Sequence, residues 1–123
     1  MAKKEKKKIP EDKRAQYEAL VSEIPELELL TNFGFPYTSL NGHMFSLLST
    51  SGFVGIRLPK EERELFLKKY NSKLYKPEPG PLLKEYVTIP SDLLTNIPEL
   101  LPYLQISLDF VKTLKPKVKK KKN

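Results

Sequence analysis

The chain has 123 residues, 39% of them hydrophobic and 30% charged, with no cysteine, no tryptophan and a single histidine. That length suits one soluble domain burying about two-thirds of the surface its unfolded form exposes, and the lack of cysteine excludes disulfides, thiolate metal sites and Cys-His nucleophile pairs. A formal net charge of +7 points at first to nucleic acid, but residues 1–8 hold five lysines against Glu5 and residues 115–123 hold six lysines with no acid, so residues 9–114, with 11 basic and 14 acidic side chains, are mildly acidic.

Like charges in a block repel and bury nothing, so both lysine runs are expected to be disordered tails around a domain spanning 9–114. Their functional reading is weak, salt-sensitive, non-specific contact with nucleic acid through Lys117, Lys119, Lys120, Lys121 and Lys122. Their plainer reading is solubility, since they lack the arginine that reads base edges and the aromatics that stack on bases. The longest nearly apolar stretches, such as 27–35, fall far short of the ~18 residues of a membrane-spanning helix. The lysines after Met1 lead into charge rather than an apolar signal core, so no membrane partner and a cytoplasmic location are expected.

In chain order, Pro10 suits a first helical position, and Tyr17, Leu20, Val21 and Ile24 follow as one apolar stripe that Pro25 ends. From Leu27 to Arg57 the turn residues Gly34, Asn41-Gly42 and Ser51-Gly52 recur every eight to ten positions, the mark of a meander. Asn-Gly tolerates the two positive φ angles of a type I′ turn, so Tyr37–Leu40 should pair with His43–Leu48, and Phe53–Leu58 should follow as the next strand. Strict alternation would put His43, Phe45 and Leu47 on one face and Met44 and Ser46 on the other.

Pro59 opens an amphipathic helix over Lys60–Tyr70, with Asn71 as its stop. Ser72–Tyr75 and Lys84–Ile89 read as two further strands, separated by the stiff, exposed loop Pro77-Glu78-Pro79-Gly80-Pro81. Ser91 is expected to cap a short turn through Leu93 and Leu94. In the last helix Ile97, Leu100, Leu101, Leu104, Leu108 and Val111 form one stripe, and Tyr103, Ile106, Phe110 and Leu114 form a second. Together they span roughly 220°, more than a surface helix normally buries. Two explanations stay open: the other helices pack on the second stripe, or Tyr103, Ile106 and Phe110 meet a second copy. Pro102 should kink this helix or begin it. The order α-β-β-β-α-β-β-α predicts an α+β, two-layer fold, with an antiparallel sheet of about five strands and helices packed on one face.

The search for chemistry is short. No GxGxxG or P-loop spacing occurs, and no nucleophile-elbow motif accompanies His43. Glu61 and Glu62 open a helix, where they complement its dipole. No catalytic residue, metal site or cofactor is therefore assigned, and the chain is read as a non-enzyme. If the sheet has an open face, Tyr37, His43, Arg57 and Tyr86 are the side chains expected there, and a small-molecule site on that face is the alternative function.

Several phrases resemble the N-terminal domain of the TfoX/Sxy family of bacterial competence regulators. Asn41-Gly42-His43-Met44-Phe45 is similar to its G-x-M-F hairpin, and Phe53-Val54-Gly55-Ile56-Arg57-Leu58 occupies the following strand. The segment from Gly80 through Tyr86 to Pro90 resembles its G-x-x-M-x-x-Y-x-x-x-P pattern, so the likeness covers about Leu29 to Leu114. Asn32-Phe33-Gly34-Phe35 stands where the family carries M-F-G-G-x-G. The resemblance implies a two-layer α+β domain without catalytic residues. The full regulators add a second, helical domain and act with a transcription factor on promoters; many relatives consist of this domain alone. The expected function is an interaction or regulatory module with a protein partner or a homodimer contact.

Overall fold

Three helices that follow prolines and one that follows an asparagine lie against an antiparallel sheet. The structure, a computed structural model, describes residues 9–32, 35–77 and 80–115. The elements are α1 (Glu11–Ser22), β1 (Leu30–Asn32), β2 (Phe35–Leu40), β3 (His43–Leu48), β4 (Val54–Arg57), α2 (Lys60–Lys69), β5 (Leu74–Tyr75), β6 (Leu83–Thr88), α3 (Ser91–Leu94) and α4 (Ile97–Lys112). All strands join one antiparallel sheet in the order β1-β2-β3-β4-β6-β5. The two-layer α+β fold is as the pattern predicts, with the three-residue β1 as a sixth strand.

Local signals act where expected. Asn41 and Gly42 take φ of 54° and 85°, and Leu40 pairs with His43 across them. Asn71 takes φ of 51° just past α2, and the Ser72 amide donates to the Leu67 carbonyl at 3.0 Å, which closes the helix as a Schellman motif. Two caps differ from expectation. Pro10 sits one residue before α1, its carbonyl accepting from the Arg14 amide, and Pro90 rather than Ser91 precedes α3. Pro98 and Pro102 both lie in α4, which begins at Ile97 and continues through Pro102. Pro102 brings no amide for the Pro98 carbonyl, a deficit that packing along the rest of the helix outweighs.

The core lies between sheet and helices. Tyr17, Leu20 and Val21 of α1, Phe66 of α2, Leu93 and Leu94 of α3 and Leu100, Leu104, Leu108 and Val111 of α4 meet Phe45, Ile56 and Val87 of the sheet. Among the described residues no helix is long and apolar enough to cross a membrane.

Strict alternation fails in β3. Thr38 pairs with Ser46 and Ser39 with Met44, which leaves Phe45 as an extra residue, a β-bulge. Phe45 and Ser46 therefore both turn to the helices. Phe45 joins the core, and the Ser46 hydroxyl lies 2.6 Å from both the Tyr17 hydroxyl of α1 and the Thr38 hydroxyl of β2. Leu47, expected beside Phe45, falls on the opposite face with Tyr75 and Tyr86. The three buried hydroxyls satisfy one another, and burial pushes the Tyr17 phenol well above its usual range.

Candidate functional site

The face turned away from the helices holds a small aromatic cluster. Leu47, Tyr75 and Tyr86 are buried there, with Tyr37, Met44 and Leu83 packed on them. Gly55 makes the arrangement possible, because Tyr75 lies directly on it: a Cβ there would stand 2.5 Å from two ring atoms. The Tyr75 hydroxyl reaches across to the β3–β4 connection, donating to the Phe53 carbonyl at 2.7 Å and lying 2.8 Å from Ser49 Oγ. Burial raises its pKa, and the serine hydroxyls oppose that rise.

Beside the anchored Tyr75 ring opens a cleft of about 680 Å³. Its walls come from four distant pieces of chain: the 51–53 turn, the 70–76 segment that leaves α2 and forms β5, Leu82 after the proline-rich loop, and Thr88 with Pro90 at the end of β6. Thr88 is tied to β5 by its amide, which donates to the Lys73 carbonyl, and by Oγ1, which donates to the Leu74 carbonyl. Phe53 is 40% and Leu82 46% exposed, so two of the three large exposed apolar side chains among the described residues face this cleft. Lys73 and Lys76 also line it, and among the described residues no acid does, while the Tyr70 hydroxyl on its wall donates to Glu99 at 2.7 Å. The site thus offers apolar contact with cations at its margin, on a frame set by the Asn71 turn and the Tyr75 hydroxyl.

The residues expected on an open sheet face are divided. Tyr37 and Tyr86 meet in the aromatic cluster, where the Tyr86 hydroxyl donates to the Met44 carbonyl at 2.6 Å. Burial pushes the Tyr86 pKa up to about 12, against the opposing pull of the Arg57 charge. His43 instead lies 2.8 Å through Nε2 from the Lys115 carbonyl, just past α4. Arg57 pairs with Glu85 at 2.7 Å and places its guanidinium 5.4 Å from the centre of the Phe110 ring. These four side chains make no common site.

The second stripe of α4 finds partners within the chain. Tyr103 packs edge-on against Phe66 at 4.9 Å and Tyr70 at 5.9 Å, Phe110 lies under Arg57, and Ile106 packs against the core. Lys117, Lys119, Lys120, Lys121 and Lys122 lie outside the described residues, as do residues 1–8. Among the described residues no three histidine, cysteine or acidic side chains come together as metal ligands.

Sequence reasoning missed the cleft. The only local hints were apolar Phe53 and Leu82, each next to turn residues, and the lysines around Leu74-Tyr75. Compared with family models, curated proteins and solved structures, the chain matches none.

Proposed function

We propose that this chain is a non-enzymatic interaction module whose binding surface is the cleft beside β5. The observation that carries the reading is the pairing of exposed Phe53 and Leu82 on one preformed cleft with Lys73 and Lys76 at its margin. Preformed concave surfaces with an apolar lining and a few placed polar groups are where proteins take up ligands. The engagement of His43 with the Lys115 carbonyl and of Arg57 with Glu85 favours this cleft over the sheet face as a ligand site. The resemblance to the TfoX N-terminal domain supports a regulatory role of the same kind, in a bacterial cytoplasm. On this reading the lysine tails add weak, salt-sensitive nucleic-acid affinity, which removal of residues 1–8 and 115–123 abolishes while the fold stays intact.

The test is selection of random 12-residue peptides displayed on phage against the immobilised chain, with a Phe53→Ser, Leu82→Ser variant as counter-target. Sequences enriched on the parent chain and lost on the variant support the module. Equal enrichment on both, or none, overturns it.

A further inference from the structure

Resting on the interaction-module reading, the charge and shape of the cleft identify the chemistry of its partner. Between Glu64 and Glu78 the chain carries four lysines, Lys68, Lys69, Lys73 and Lys76, and no acid. All four are exposed. Lys73 and Lys76 line the cleft, and Lys69 stands 5.3 Å from the centre of the Tyr70 ring, which forms part of the same wall. Lys76 donates to the Gly80 carbonyl at 3.0 Å, which holds its charge beside the loop that delivers Leu82. Positive charge is thus concentrated on a cleft whose apolar side chains are left uncovered.

The spacing of the two lysines suits an extended chain. Lys73 and Lys76 bracket β5, so at strand rise their backbone positions lie about 10 Å apart. Two acids spaced along an extended segment match that separation. β5 is also an edge of the sheet, so a chain can run past it without displacing a strand. Phe53 and Leu82, 40% and 46% exposed on the lining, offer apolar contact to a side chain of such a segment. We infer that the cleft binds an extended, acidic segment of a partner protein, seating an aliphatic or aromatic side chain between Phe53 and Leu82 while flanking carboxylates meet Lys73 and Lys76.

Fluorescence anisotropy with the full chain tests this, using a labelled nine-residue peptide that alternates glutamate with leucine and phenylalanine, its glutamine counterpart and its lysine counterpart. The glutamate peptide should bind about three- to tenfold more tightly than the glutamine peptide, as two surface ion pairs allow, and the gap should close at high salt. A Lys73→Glu, Lys76→Glu variant should reverse the preference toward the lysine peptide. Circular dichroism checks that this variant remains folded. Amide shifts of the bound complex should centre on residues 53, 73, 74, 76 and 82. Equal affinity for the glutamate and glutamine peptides overturns the inference, as does a site elsewhere. So does binding of decanoate at these residues in the absence of peptide binding, which would make the cleft a small-amphiphile site. If peptides selected by display bind the cleft but are neutral or basic, the charge inference falls while the interaction module stands. If no peptide binds, both fall.

Discussion

The contact of Tyr75 with Gly55 is the joint on which the cleft depends, and a single methyl group tests it. Gly55 pairs with Leu47 and Thr88 on its two sides and has no positive φ, so glycine is needed there for space rather than for backbone freedom. In Gly55→Ala the new Cβ would meet Tyr75 Cδ2 and Cγ at 2.5 Å and Cδ1 at 2.9 Å. Carbon contacts are optimal at ~3.5–4 Å, so the ring must retreat by about 1 Å. The ring is held at its far end by the Phe53 carbonyl and Ser49 Oγ, so a retreat strains or breaks both contacts. Over-packing of this kind costs ~1–3 kcal/mol, and weakening the buried hydroxyl's hydrogen bonding adds about 1 kcal/mol. The expected loss is about 2–4 kcal/mol, a large fraction of the stability of a small domain. Urea unfolding followed by circular dichroism reads it, since a midpoint shift at constant slope converts directly to free energy. Repeating Gly55→Ala in a Tyr75→Ala background should cost less than about 1 kcal/mol, because the obstructing ring is gone. A loss below ~0.5 kcal/mol in the parent chain, or an equal loss in both backgrounds, would refute the reasoning.

Other consequences are equally direct. Ser46→Ala strands the buried hydroxyls of Tyr17 and Thr38, whereas Tyr17→Phe leaves Ser46 paired with Thr38; the first should cost more than the ~1 kcal/mol expected of the second, and the opposite order in urea titrations would show that the network is not as drawn. The Tyr86 phenol has its folded pKa raised to about 12, above its ordinary 10, so its contribution is fully present below pH 10 and lost as pH rises toward 12. Stability should therefore fall across that window by about 1.4 kcal/mol per pH unit from this group, and Tyr86→Phe should flatten the slope; an unchanged slope rejects the assignment. Asn71→Gly should be nearly neutral and Asn71→Val should lose ~1–2 kcal/mol, as a β-branched residue resists the left-handed backbone, with melting temperature as the readout. Because Tyr103 and Phe110 have partners within the chain, light scattering should find a monomer at low and high salt; a dimer that Phe110→Glu dissociates would place the second stripe of α4 in an interface instead.

Much of the fold is written in short segments, for a physical reason. A turn type, a helix stop or an amphipathic stripe depends on the φ/ψ tolerance and spacing of a few neighbouring residues. Asn41-Gly42 thus specifies the β2–β3 hairpin, Asn71 the end of α2, and the leucines of α4 the face that enters the core. Even the breadth of the apolar surface on α4 was legible, though what would cover its second stripe was not.

The rest is decided by distant parts of the chain meeting. The bulge at Phe45 reverses the facing of Leu47 and Ser46, and so separates His43 from Tyr37 and Tyr86; register is a contest between whole strands that no single strand's alternation can announce. Sequence alone therefore determined the elements other than the three-residue β1, their order and the two-layer fold. Tertiary structure alone decided that Tyr75 would lie on Gly55, twenty residues earlier, and that Phe53, Lys73, Leu82 and Pro90 would surround one cleft. Such a site is a juxtaposition across a sheet, and it exists only once packing has chosen which faces meet.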